Sequence, residues 1–356
     1  MRFKLHPNSR FKSFSTLSPA QVPMLESLAF DGFQQGHDWN TIPLLASPNL
    51  CRISFARLKL LESNFLLLPL PWNRLCHLFI SPDSSPWLTA AEGLELLGQC
   101  PVLEACGLPF RPSSAVVALS PPCRMERLQQ LSVVDMHVNV MDPSNPHGTA
   151  DLFQNLELPR LHTLEYLAQH IQQFAFIPSL VSSDILQCLS LSALYVSSEL
   201  MTGSLRLVPK LRELRVRHDP FSSTSAAPVY FPPTEFWTSL TPTAQNLDVL
   251  CPELRIVNFT HFNSTSDSTL LDFIQARTGT DFAGVARLAK VHVQFKREMQ
   301  VDIVPALQQA ICEGLELSLH YLHKPNSIYS PSQENFPYTK GEMLSDSWGT
   351  SSEFSV

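Results

Sequence analysis

One phrase returns along this chain at a nearly fixed spacing, and that regularity leaves few folds open. Pro23-Met24-Leu25-Glu26-Ser27-Leu28-Ala29-Phe30 reads as proline, any residue, leucine, any two, an apolar residue, any one, and a last apolar residue. It returns as Pro48 to Phe55, Pro101 to Leu108, Pro159 to Tyr166, Pro209 to Val216 and Pro252 to Phe259. Leu75 to Ile80, Leu128 to Val133, Leu186 to Leu191 and Leu288 to Val293 repeat it without the proline. The leading leucines are Leu25, Leu50, Leu75, Leu103, Leu128, Leu161, Leu186, Leu211, Leu254 and Leu288. Five of their nine spacings are 25 residues, so the unit is a structural repeat rather than a composition effect.

The spacing carries a geometry. The last two apolar positions are two residues apart, and on a short strand they point to the same inward face. The leading leucine turns inward from the approach to that strand, and the proline before it presets an extended approach and stops any preceding helix. Each unit exposes an apolar face that it cannot bury alone, so neighbouring units must stack. An all-helical array, with the phrase marking helix starts, is the alternative; the period of two and the β-branched or aromatic last position argue against it. Units of this length and pattern are leucine-rich repeats. The expected fold is α/β: an irregular leucine-rich-repeat solenoid, a ribonuclease-inhibitor-like horseshoe with about ten short parallel strands. It should occupy residues 23–324, between an N-terminal extension or cap (1–22) and a disordered tail (325–356) rich in Ser, Pro and Glu. The asparagine or cysteine expected three residues after the last apolar position is missing; Phe33, Leu58, Asp83, Arg111 and Met136 stand there, so the horseshoe should be irregular.

Segments between the strands have helical character. Thr89 and Glu92 have capping-box spacing and open Ala90 to Gln99. Asp267 precedes the apolar face of Leu270 to Ile274 as a candidate cap, and Asp302 to Glu313 reads as a terminal helix before a last strand at Leu315 to Leu319. Insertions fall at Met136 to Leu158 and His218 to Leu250, the second with the loop composition of Ser222 to Pro228.

Composition removes several function classes. Glycine is scarce, with 12 residues against 29 prolines, which disfavours glycine-loop nucleotide folds. The net charge of −7, with Lys and Arg scattered, offers no stripe for nucleic acid. The N-terminus lacks the apolar core of a secretory signal, and Phe65 to Pro71 is too short to span a bilayer. A cytoplasmic or nuclear monomer is expected, with the eight cysteines as free thiols, since none has C-x-x-C or zinc-site spacing. No nucleotide, serine-hydrolase or zinc-protease motif occurs, so neither cofactor nor metal nor catalytic residue is assigned. The pairs Glu95/Glu104 and Asp267/Asp272 read as solvated faces and caps rather than acid and base.

A resemblance adds to this. The segments Leu70-Pro71-Trp72-Asn73-Arg74-Leu75-Cys76-His77-Leu78, Leu96 to Glu104, Leu158 to Leu161, Leu270 to Arg277 and Ala286 to Val291, taken in order, resemble the leucine-rich-repeat region of F-box-like proteins of mushroom-forming (basidiomycete) fungi. The likeness runs over residues 20–320. It implies a ubiquitin-ligase adaptor, in which a small helical F-box docks to a cullin ligase and the repeats hold the target. Met1 to Pro23 has no room for that domain, so either the ligase link is lost or an F-box lies upstream of Met1, and the protein-binding role is expected in both cases. The alternatives are a repeat protein with no ligase role or retained partner, and an enzyme with an unannounced site.

Residues alternating with the motif positions should line the open concave face. In the N-terminal half these are small or apolar: Ser27, Ala29, Ser54, Phe79, Ala105, Gly107 and Ser132. In the C-terminal half Glu213, Arg215, Arg217, Asn258, Thr260, Lys290, His292 and Gln294 can recognise a protein or peptide. Arg215 and Arg217 share one strand face; either they fork onto an acidic or phosphorylated ligand, or they pair with Glu213 and neighbouring acids.

Overall fold

The computed structural model describes residues 2–5, 16–31, 39–57, 65–82, 84, 87–111, 122–135, 148–168, 185–192, 198–217, 234–243, 249–262, 265–279 and 282–322. In every copy of the phrase the last two apolar positions lie on a strand. The strands are β1 (Arg2–Leu5), β2 (Ser27–Asp31), β3 (Arg52–Ala56), β4 (His77–Ile80), β5 (Ala105–Phe110), β6 (Cys123–Arg124) and β7 (Gln130–Asp135). They continue with β8 (Leu156–Glu157), β9 (Thr163–Ala168), β10 (Cys188–Ser192), β11 (Glu213–Arg217), β12 (Ile256–Phe262), β13 (Lys290–Phe295) and β14 (Glu316–His320). All but β6 and β8, which pair with each other, form one 12-stranded sheet in sequence order. Each pairing in it is parallel. The chain is therefore an α/β fold of stacked, solenoid-like units, and the all-helical alternative fails.

The repeat fixes the register. Leu28, Ile53, Leu78, Cys106, Leu131, Leu164, Leu189, Leu214, Val257 and Val291 are consecutive Cα partners across ten strands. These residues, their leading leucines and the last apolar position of each unit are all buried, none more than 4 % exposed. A one-residue slip would turn a whole row outward, so the buried face specifies the pairing.

The prolines do more than stop helices. The amides of Leu25, Leu50, Leu103, Leu161, Leu211 and Leu254 each donate to the carbonyl three residues back, which places Pro23, Pro48, Pro101, Pro159, Pro209 and Pro252 second in a tight turn. The fixed φ of proline is preset for that position. The expected extended approach is thus a turn that swings each leading leucine inward. After the turn the Glu26 carbonyl accepts two amides of the next unit, Cys51 and Arg52, and the same double acceptance recurs at Cys51, Cys76, Glu104, Gln129, His162, Gln187, Arg212 and Arg255.

Helices lie between strands at α1 (Ala90–Gln99), α2 (Gly148–Gln154), α3 (Ser198–Arg206), α4 (Thr234–Leu240), α5 (Asp267–Thr278) and α6 (Gln308–Cys312). The α1 capping box is present as expected, with the Glu92 amide donating to Thr89 and the Thr89 amide to Glu92. Helices and strands meet through aromatic side chains. Gly93 of α1 is needed because an added Cβ would lie 2.5 Å from the Phe110 ring. Trp237 of α4 packs edge-on to Phe259 of β12 at 4.9 Å, and Phe273 of α5 lies at 5.0 Å from the same indole.

Buried polar side chains pin the two insertions. Thr149 of α2 donates to Asp135 of β7 at 2.7 Å and meets the Tyr166 hydroxyl of β9 at 2.9 Å. The buried Arg277 of α5 donates to the carbonyls of Leu240, Leu250 and Cys251 at 2.7–3.0 Å, and burial lowers its pKa to about 10. Cys251 there has φ 47°, left-handed backbone for a non-glycine residue, held by this clamp and by the turn to Leu254. Met136 to His147, Ser222 to Pro228 and the tail from Pro325 lie outside the described residues.

Two local expectations change, and the segment expected as an N-terminal extension or cap gains detail. Residues 1–22 contribute a strand, β1, whose Phe3 and Leu5 continue the register to Leu28 and Phe30. Ser266, not Asp267, caps α5, its hydroxyl accepting from the Thr269 amide. The terminal helix begins with a 3-10 turn at Pro305–Leu307 instead of at Asp302, because proline starts a helix readily and Asp302 turns its carboxylate to the Val304 amide.

Asp267 has a different task. Its fully buried carboxylate accepts from Arg297 at 2.6 Å, from the Gln300 and Val301 amides at 2.7 and 2.9 Å, and from the Tyr321 hydroxyl at 3.1 Å. The Arg297 guanidinium in turn lies 4.3 Å over the Phe295 ring, which stacks on Tyr321 at 4.8 Å. Burial alone would raise the carboxyl, but the hydrogen bonds from Arg297, Val301 and Gln300 outweigh it and hold the pKa below the ordinary carboxylate value. This clasp ties α5 to the segment after β13.

Two predictions follow from the packing. Leu189→Ala or Leu214→Ala should cost roughly 2–5 kcal/mol in denaturant melts, since both neighbouring units lose a partner. Asp267→Asn should cost about 3 kcal/mol at neutral pH by leaving Arg297 without its counterion. Because the folded pKa of Asp267 is depressed, its contribution is full above the unfolded value and lost as pH falls through the folded one. The stability gap between variant and wild type should therefore close below about pH 4, as unfolding curves across that range will show.

Candidate functional site

The face of the sheet opposite the core carries the residues that alternate with the buried rows, and the register arranges them in rows of their own. In the N-terminal half that face is partly closed by its own side chains. Ala105 and Gly107 of β5 are buried, and the Phe79 ring lies so close over Gly107 that an added Cβ would sit 2.5 Å from it. The small residues expected there therefore serve packing, at least at β5.

The C-terminal half differs. Arg215, Asn258 and His292 are consecutive register partners, as are Arg217, Thr260 and Gln294 in one row and Glu213, Ile256 and Lys290 in another. The eight candidate residues thus come together on three adjacent strands, with β14 adding Glu316, Ser318 and His320. Four partners escaped the sequence reading: Glu165, Ser190, Ser318 and His320. Glu165 and Ser190 occupy the same row as Arg215 and can be found by counting along that row once the register is known.

The charges are locally balanced. Arg215 pairs with Glu213 at 2.6 Å, Lys290 with Glu316 at 3.0 Å, and Arg217 reaches across β10 to Glu165 at 3.8 Å. Of the two expectations for the arginines, pairing with neighbouring acids is the one observed. Burial raises the Glu165 carboxyl above its ordinary value, although Arg217, Ser132 and Arg215 oppose the shift; the Ser132 hydroxyl donates to it at 2.9 Å. Burial pushes the Cys188 thiol up to about 12, with the Glu213 carboxylate adding to the effect.

Two polar atoms in the row have no hydrogen-bond partner among the described residues. Ser190, between Glu165 and Arg215 in register, is 3 % exposed with its Oγ unpartnered, and the buried Oδ1 of Asn258 accepts nothing. Each such atom forgoes about 1–3 kcal/mol. At the far end the Ser318 hydroxyl lies between His292 Nδ1 at 3.1 Å and His320 Nε2 at 2.9 Å. Burial lowers the His292 pKa, and His320 and Lys290 lower it further, so the ring is neutral near pH 7. No carboxylate is hydrogen-bonded to either ring among the described residues. Nor do those residues contain a group of three His, Cys, Asp or Glu placed to hold a metal ion. None of their helices is long and apolar enough to cross a membrane.

Compared with protein-family models and with curated proteins, the chain matches none.

Proposed function

We propose that this chain is a leucine-rich-repeat recognition module that binds a protein or peptide segment across the open face of β9 to β14, and that it is not an enzyme. The observation that carries the reading is the convergence of Arg215, Arg217, Asn258, His292 and Gln294 on three adjacent strands, beside two polar atoms left without partners. Side chains able to form directional hydrogen bonds, presented on a rigid sheet, give specificity without chemistry. A serine nucleophile at Ser318 would use a base oriented by a third group, and His320 has no such carboxylate partner among the described residues.

The ligand class we propose, an acidic or phosphorylated segment, is suggested by Arg215 and Arg217 sharing one strand face. An acidic or phosphorylated segment engages Arg215 and Arg217 by displacing Glu213 and Glu165, so its affinity reflects an exchange of ion pairs rather than a gain of two. The resemblance to F-box-like proteins supports a role as the target-holding arm of a ubiquitin ligase. On that reading, proteins bound at this face are marked for degradation.

Arg215→Glu combined with Arg217→Glu tests both parts. The variant should keep its circular dichroism spectrum but melt lower, because both ion pairs are only partly exposed and the reversal sets like charges beside Glu213 and Glu165. Arg215→Gln combined with Arg217→Gln, which removes the positive charges without adding negative ones, separates that stability cost from loss of partners. Crosslinking followed by mass spectrometry should show selective loss of one set of partners, and those partners should accumulate in cells depleted of the chain. An unchanged partner set on a folded variant would defeat the binding face; unchanged partner levels would defeat the ligase role alone.

A further inference from the structure

The residue after each leading leucine lies on the turn side of the sheet, and at two successive units it is cysteine. The Cys51 thiol donates to the Glu26 carbonyl at 3.6 Å, and the Cys76 thiol repeats the contact one unit on, donating to the Cys51 carbonyl at 3.1 Å. The amides of Cys76 and His77 donate to that same carbonyl at 2.8 and 3.1 Å. The two cysteines therefore continue the register of β3 and β4, one step before the Arg52–His77 pair. Adjacent strands lie about 4.8 Å apart. That separation falls inside the range of about 4.4–6.8 Å between Cα atoms that a disulfide spans. Both thiols are partly exposed, whereas Cys100, Cys106 and Cys251 are buried.

We propose that Cys51 and Cys76 form a dithiol, which a small disulfide of the glutathione type converts into a bridge between consecutive units. In the first step Cys76 sulfur attacks one sulfur of oxidised glutathione, forming a mixed disulfide and releasing one glutathione thiolate. His77 Nδ1, 3.1 Å from that sulfur, is placed to take the Cys76 proton in the tautomer protonated on Nε2. In the second step Cys51 sulfur attacks the Cys76 sulfur of the mixed disulfide and expels the second glutathione. Two electrons pass from the protein thiols to glutathione disulfide, and two glutathione thiols result.

The surroundings set the rate. Burial and the neighbouring Cys51 thiol push Cys76 up to about 11, with Arg52 opposing the shift. Burial and Arg52 lower His77 while Glu104 raises it, and the net lowering leaves a neutral imidazole as proton acceptor. The bridge therefore forms slowly at neutral pH and faster as pH rises. The bridge joins residues 25 apart in sequence, restricting the unfolded chain and stabilising the folded one.

The test uses the full folded chain treated with oxidised glutathione and digested without reduction. The expected product is a peptide pair joined through Cys51 and Cys76, with loss of two maleimide-reactive thiols, a raised melting temperature and reversal by dithiothreitol. Cys51→Ser should stop at a glutathione adduct on Cys76. Exposed Cys312 serves as the internal control for reagent. Glutathione carried separately on Cys51 and Cys76 of the wild-type chain, or both left unmodified while Cys312 reacts, would overturn the proposal.

Discussion

Each unit of this chain hands one backbone carbonyl to the next, and the stack rests on that transfer. The carbonyl after the leading leucine accepts two consecutive amides from the following unit, from Glu26 through Arg255 without interruption. Double acceptance locks two residues of every unit to one of its neighbour, just where the chain leaves its turn and begins its strand. The leading leucine is then already inside, and the next inward positions follow three and five residues on. Apolar burial supplies the stabilisation and the shared carbonyl supplies the alignment. Together they let units separated by 25 to 43 residues stack in one register, because whatever the insertion does, it must return to the same turn.

That alignment also creates the open face. Since no strand slips along the rows, side chains far apart in sequence fall into contact at fixed places. Glu165 and Arg217 are 52 residues apart yet form an ion pair across β10, because each sits a set number of positions from its leading leucine. The face is thus a product of the core's register, which is why a stretch without any sequence motif can still present an organised polar surface. Its charges cancel locally, while Ser190 and Asn258 keep hydrogen-bonding capacity unused. A surface so arranged discriminates by hydrogen-bond geometry more than by net attraction.

Much of this was legible because the repeat is written in apolar spacing, the strongest sequence signal a chain carries. All ten strands centred on Leu28 through Val291 and the eight residues of the candidate face could be placed from it, and the α1 cap from the capping-box spacing of Thr89 and Glu92. What escaped has physical reasons. In β1 the leading position of the pattern falls before Met1, so only the register to β2 reveals it. The last strand, expected at Leu315 to Leu319, lies one residue later at Glu316–His320, because Gly314, with φ 107°, stands at the leading position and Leu315 is buried in its stead. Asp267 and Ser266 both satisfy the chemistry of a helix cap; the choice depends on Arg297, Gln300 and Val301, more than thirty residues away or close to it. Likewise the pairing of Arg215 and Arg217 depends on side-chain reach, which spacing alone leaves open.

The shared-carbonyl ladder is open to direct measurement by native-state hydrogen exchange resolved to single amides. If the ladder holds the units in register, the amides of Cys188, Glu213, Ile256 and Lys290, one from each of four successive units, should exchange with closely matched and strong protection, comparable to that of the central α5 amides. Strong protection confined to the helices, with these four amides exchanging near the rate of unstructured chain, would contradict the account.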